Sequence, residues 1–124
     1  MSLLDASALP RMLRVRQEFP QSTPLKIPAS VAEQILRVQD RLVPGTRVAL
    51  TVGSRGIANI KGIVLAVLGE LKAAGVEPFI VPAMGSHGGA TPEGQKRILA
   101  DYGITEQTMG VPIEAAMETR EIGR

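Results

Sequence analysis

Apolar positions along the chain fall into two periods. Val31, Ile35, Val38 and Leu42 recur three or four residues apart, which is one face of a helix. Ser30 and Glu33 form an S-x-x-E pair just ahead of that face. The pattern predicts a helix that opens at Ser30 with a capping box and closes at Pro44-Gly45. Two runs, Arg47-Val-Ala-Leu-Thr-Val52 and Glu77-Pro-Phe-Ile-Val-Pro82, are short, β-branched and nearly continuous in apolar character, as buried strands are. Between them residues 60–74 carry a wide apolar face of Ile63, Val64, Val67, Leu68 and Leu71, with Asn59 placed to cap the helix and Gly75 to stop it. Thr91 and Pro92 read as the cap and first residue of a further helix that reaches about Tyr102 and ends at Gly103. Thr105 opens one more turn. Residues 111–117, with Glu121-Ile122, read as another strand. Ahead of all this, Pro10, Pro20, Pro24 and Pro28 break up any long helix. Residues 11–19 read as a strand or extended arm.

Helices alternating with short apolar strands imply an α/β class: a Rossmann-like parallel sheet with flanking helices. The chain divides into an extended N-terminal arm, residues 1–29, and an α/β domain, residues 30–124. Aromatic residues are 2% of the chain, namely Phe19, Phe79 and Tyr102. The core must be aliphatic, and base-stacking platforms for single-stranded nucleic acid are nearly absent. The net charge is +2, with basic residues interspersed among acids, so no nucleic-acid partner is expected. There is no cysteine, which removes disulfides and thiolate metal sites and fits a reducing compartment. The longest apolar stretch is residues 63–68, far too short to span a bilayer. Residues 1–10 lack the pattern of a signal peptide. The expectation is a cytoplasmic protein with no membrane partner.

Two glycine-rich loops follow the two strands. The first is Gly53-Ser54-Arg55-Gly56; the second is Met84-Gly85-Ser86-His87-Gly88-Gly89-Ala-Thr91. In open parallel sheets, ligands bind beyond the carboxyl ends of the strands, so both loops are expected to open on one crevice. Both lead into helix N-termini, which favour anions. The first loop reads equally as a plain turn or as an anion site, and it matches neither a dinucleotide fingerprint nor a P-loop. His87 is the single histidine of the chain. Gly85, Gly88 and Gly89 would bring the backbone close to a substrate or cofactor, and His87, held among them, is the candidate proton-transfer residue; the plain alternative is a surface histidine on a loop. Arg55 is the candidate anchor for a carboxylate or phosphate, because its fork grips two oxygens, or else a solvated turn residue. Ser54 and Ser86 are candidates to hydrogen-bond the turn or the ligand, and Thr91, read as a helix cap, is counted with Gly53 among the substrate- or cofactor-binding candidates. One imidazole and no thiolate leave no metal site to assign to this chain.

With Met84-Gly-Ser-His87, Thr91-Pro-Glu93, Val48-Ala-Leu-Thr-Val52 and Leu71-Lys-Ala-Ala-Gly75 in view, the chain resembles the N-terminal domain of the lactate racemase family, the nickel-pincer-nucleotide-dependent racemases and epimerases. The resemblance covers about residues 47–122. It places His87 on a catalytic histidine of the family pattern Ala-Thr-Gly-x-His-Arg-x-x-Thr-x-Glu-Glu. Two departures stand out. The family's Asp-x-Thr-Arg-Pro loop reads Gly53-Ser-Arg-Gly-Ile57 in this chain, and the arginine after the family histidine is Gly88. The resemblance therefore implies a divergent subgroup whose substrate need not be lactate.

It further implies that a 2-hydroxy acid or related hydroxy compound is racemised or epimerised by hydride transfer to a nickel-pincer nucleotide. The family's second catalytic histidine, its cofactor-linked lysine and its metal-binding histidine lie in later sequence. This chain then corresponds to the first, incomplete part of a larger domain. It is expected to be inactive alone and to need a C-terminal part or second domain; an oligomer is compatible with this. The alternative is a non-catalytic nucleotide- or phosphate-binding module built on the same two loops, and a third reading is a structural fragment with no activity of its own.

Overall fold

The computed structural model describes residues 12–20 and 23–118, and a two-stranded parallel sheet lies at its centre. Strands β1 (Arg47–Val52) and β2 (Glu77–Pro82) pair from Arg47↔Glu77 to Val52↔Pro82. Both match the runs predicted from the sequence. Helix α2 (Ile60–Ala73) connects them and buries Ile60, Val64, Leu68 and Leu71. The result is a small α/β domain with flanking helices, whose innermost side chains are Leu68, Ile80, Leu99 and Ile104.

Two prolines in one strand explain how far the sheet extends. The Ile80 N–H donates to the Pro112 carbonyl, and the Ile80 carbonyl accepts from the Glu114 N–H. Backbone direction alternates along a strand, so Pro78 and Pro82 face that same side, where each lacks a donor. β1 loses no bond by this. On the other side, the segment predicted as a third strand, residues 111–117, is reduced to a single parallel bridge, Ile80↔Ile113. The expected strand at Glu121-Ile122 lies outside the described residues.

The first helix departs from its predicted start. Helix α1 spans Ile27–Leu36, with Lys26 at its N-cap and Pro28 in its first turn. The Ser30 N–H already donates to the Lys26 carbonyl at 3.0 Å. Ser30 is thus inside the helix and the predicted Ser30/Glu33 capping box is not formed. Proline is tolerated in a first turn, where its missing N–H is not needed. Glu33 pairs instead with Arg37 one turn on, at 3.2 Å. The helix also stops earlier than the apolar repeat predicts: Val38 leaves helical geometry (φ −119°, ψ 7°), and a 3₁₀ turn, Gln39–Arg41, follows. Residues 12–20 form neither strand nor helix, and Met12, Leu13, Val15 and Phe19 are exposed.

The remaining caps follow the sequence more closely. Asn59 stands at the N-cap of α2 in the left-handed region (φ 60°) but makes no side-chain cap bond. Helix α3 (Pro92–Asp101) is capped by Thr91, whose Oγ1 accepts from the Gly94 N–H at 3.1 Å. Helix α4 (Glu106–Met109) opens with a reciprocal box between Thr105 and Thr108. Among the described residues no helix is long and apolar enough to cross a membrane.

Glu106 ties α4 to the segment beside β2. Its Oε1 accepts from the Ile113 N–H at 3.1 Å and from Lys96 Nζ at 3.3 Å. The Ile113 backbone bond, then Lys96, hold its carboxyl below the ordinary glutamate range. A carboxylate whose folded value is depressed adds stability that is complete above its unfolded value and is lost as pH falls through the folded one. Glu106→Gln should therefore unfold more easily than the parent at neutral pH, and the gap should close on acidification. Denaturant midpoints at neutral and acid pH check this; a gap independent of pH would contradict it.

Candidate functional site

Because β1 and β2 are parallel and end opposite one another at Val52 and Pro82, the loops that follow them emerge at the same edge of the sheet. The Ala83 N–H donates to the Val52 carbonyl at 2.8 Å, which draws the two loop bases together. A cavity of about 490 Å³ opens between them. The first loop lines it with Gly53, Ser54, Arg55 and Ile57; the second lines it with Met84, Gly85, Ser86 and His87.

Across this cavity Ser54 Oγ lies 2.5 Å from His87 Nδ1. A hydroxyl on Nδ1 orients the ring, accepting from Nδ1–H in one tautomer and donating to Nδ1 in the other. Nε2 has no hydrogen-bond partner among the described residues and is left for another group. His87 itself is exposed and Ser54 half-buried. Arg55 is exposed and makes no ion pair among the described residues. The cavity thus combines one imidazole, one hydroxyl on that imidazole and one guanidinium. With no third group on the ring, it lacks the base-orienting partner of a serine nucleophile.

The other sequence candidates occupy a different place. Gly88, Gly89 and Thr91 do not line the cavity. Gly88 is left-handed (φ 67°), and a Cβ on it would sit 2.4 Å from the Gly94 carbonyl carbon. Its bareness thus serves the packing of loop on helix. Thr91 Oγ1 donates to the Gly88 carbonyl while accepting from the Gly94 N–H, both at 3.1 Å. It joins the loop to the first turn of α3.

Three residues that the sequence reading passed over hold the site from behind. Gly94 receives Gly88. Gln95, only 3% exposed, donates from Nε2 to the Gly85 carbonyl at 2.9 Å. Tyr102 donates from its hydroxyl to the Ser54 carbonyl at 2.8 Å. One signal was available: a glycine in the first turn of a helix costs about 1 kcal/mol against alanine and usually has a packing reason. Gln95 and Tyr102 carry no comparable local signal.

Among the described residues no group of three His, Cys, Asp or Glu could hold a metal ion. The cavity's single imidazole is the only one in the chain, so these side chains do not form a nickel site. Comparison with protein-family models, with curated proteins and with solved structures found no match.

Proposed function

We propose that the two loops form the proton-transfer half of a racemase or epimerase site for a 2-hydroxy acid or related hydroxy compound, in the N-terminal part of a lactate-racemase-like enzyme. The observation that carries this reading is the Ser54–His87 pair set beside Arg55 in one cavity. Arg55 grips the substrate carboxylate through two N–H groups. The oriented His87 ring takes the hydroxyl proton at Nε2 and returns it to the same oxygen. Ser54 keeps the ring turned toward the substrate. On this reading the small parallel sheet begins a Rossmann-like domain that further chain or a second domain completes. The nickel-pincer nucleotide would draw its metal and covalent attachments from there, since the donors in this cavity do not fit them. The steps assigned to this chain are proton transfer and anion binding alone.

A second reading, a phosphate- or nucleotide-binding module without catalysis, is favoured by Arg55, an exposed guanidinium with no carboxylate partner among the described residues. The single histidine makes the two separable. Lactate of each hand, glycerate, inorganic phosphate and AMP are titrated into the ¹⁵N-labelled chain while the imidazole signals are followed. The hydroxy acids should shift the ring signals, and Arg55→Ala should weaken their binding. A response to phosphate or AMP with none to hydroxy acids would overturn the enzyme reading in favour of the module.

A further inference from the structure

We propose that Tyr102 is a positioning residue for His87, acting through Ser54; this rests on the reading of His87 as the proton-transfer group. Tyr102 stands at the C-terminal end of α3, 48 residues from Ser54 in sequence. Its ring is half-buried against the core cluster that includes Leu99 and Ile104. The core thus fixes the ring, and the ring fixes the place of the hydroxyl.

The bond this hydroxyl makes has no substitute. Among the described residues, the Tyr102 bond to the Ser54 carbonyl at 2.8 Å is the only hydrogen bond made by a backbone group of residues 53–56. A loop with a single internal tether opens at little cost. Yet its Ser54 hydroxyl must stay within hydrogen-bond range of His87 Nδ1, and a proton-transfer group misplaced by about 1 Å loses a large part of its rate. The second loop is held from the same helix, by Gln95 on Gly85. α3 therefore sets the distance between the two halves of the Ser54–His87 pair, with Tyr102 as its contact on the Ser54 side.

The test reads the ring itself. Histidine side-chain ¹⁵N shifts report which ring nitrogen carries hydrogen, and the chain has one histidine and one tyrosine to follow. Ser54→Ala supplies the reference spectrum for a ring without its Nδ1 partner. Tyr102→Phe, which removes only the hydroxyl, should move both ring-nitrogen shifts from the parent values toward those of Ser54→Ala while thermal unfolding stays cooperative. In the Ser54→Ala background the same change should add nothing. Parent-like ring shifts in Tyr102→Phe would overturn the proposal, and so would an equal further shift in the double variant. A Tyr102→Phe chain that does not fold also overturns it, because the hydroxyl is assigned the placement of one loop and not of the fold. No turnover enters this measurement. Failure here leaves the proton-transfer reading standing, and failure of hydroxy acids to perturb the ring leaves the positioning role standing.

Discussion

Replacing Gly94 with alanine should unseat the histidine loop and lower the thermal midpoint, against the usual direction for a glycine in a helix. Helix propensity alone favours alanine by about 1 kcal/mol. The added Cβ, however, would lie 1.8 Å from the Gly88 carbonyl oxygen, 2.7 Å from the Gly88 carbonyl carbon and 2.8 Å from Thr91 Oγ1. Two of these three obstacles are backbone, and Thr91 Oγ1 is itself committed to Gly88 and Gly94. Relief requires moving the whole loop. Forced overpacking typically costs about 1–3 kcal/mol, and a backbone obstacle belongs at the upper end, so the net loss should be about 2 kcal/mol. For a chain of this size that is a fall of roughly 6–10 °C. Gly69 in α2 is the control, since a Cβ there meets nothing within 4 Å. Gly69→Ala should add about 0.5–1 kcal/mol of stability and raise the midpoint. Calorimetry on the two variants checks the pair, and midpoints that move in the same direction would refute the backbone contact.

On the proposed proton-transfer role of His87, turnover by the assembled enzyme should fall about 10²–10⁴-fold in His87→Asn, the usual cost of losing a general acid or base. Stability should hardly move, because His87 is exposed and surface substitutions are usually within about 0.5 kcal/mol. Asparagine still reaches the Ser54 hydroxyl, so the loop contact persists; only proton exchange near neutrality is removed. A surface histidine with no role predicts unchanged rate and unchanged midpoint. A histidine that mattered for folding predicts a lower midpoint first. Rate at saturating substrate and thermal midpoint, measured on one preparation, separate the three outcomes. Parent-like turnover would sink the catalytic assignment.

What the sequence revealed and what it hid divide along a physical line. The bounds of β1 and β2, the caps at Thr91 and Thr105 and the stops at Gly75 and Gly103 are local: each depends on a few neighbouring residues, and each was legible. The common edge of the two loops was legible too, because it follows once two consecutive strands run parallel. The start of α1 was misread because Ser30 and Glu33 offered a good box, while Pro28 offered an earlier first turn and the chain took it. The third strand was misread for a non-local reason: its apolar pattern is real, but the prolines of β2 leave it one residue to pair with. The same holds behind the site. Gly88 looked like room for a ligand and is room for Gly94. Neither the buried Gln95 amide nor the Tyr102 hydroxyl announces, within its own helix, that its acceptor lies 10 or 48 residues back.

That the side-chain tethers on both loops come from α3 and its C-cap residue has a consequence for how the site comes into being. A ribosome delivers the chain from its N-terminal end, so residues 53–59 and 83–91 emerge before Gly94, Gln95 and Tyr102. At that stage β1 and β2 can pair and the Ala83 N–H can reach the Val52 carbonyl, but the core still lacks Leu99 and Ile104, and the histidine and serine loops lack the side chains that tether Gly85 and Ser54. The cavity takes its shape only when the helix synthesised after it folds back and docks. A nascent chain stalled short of Pro92 would carry both strands and both loops with no site, and one stalled between Gln95 and Tyr102 would have its histidine loop tethered opposite a serine loop that is not.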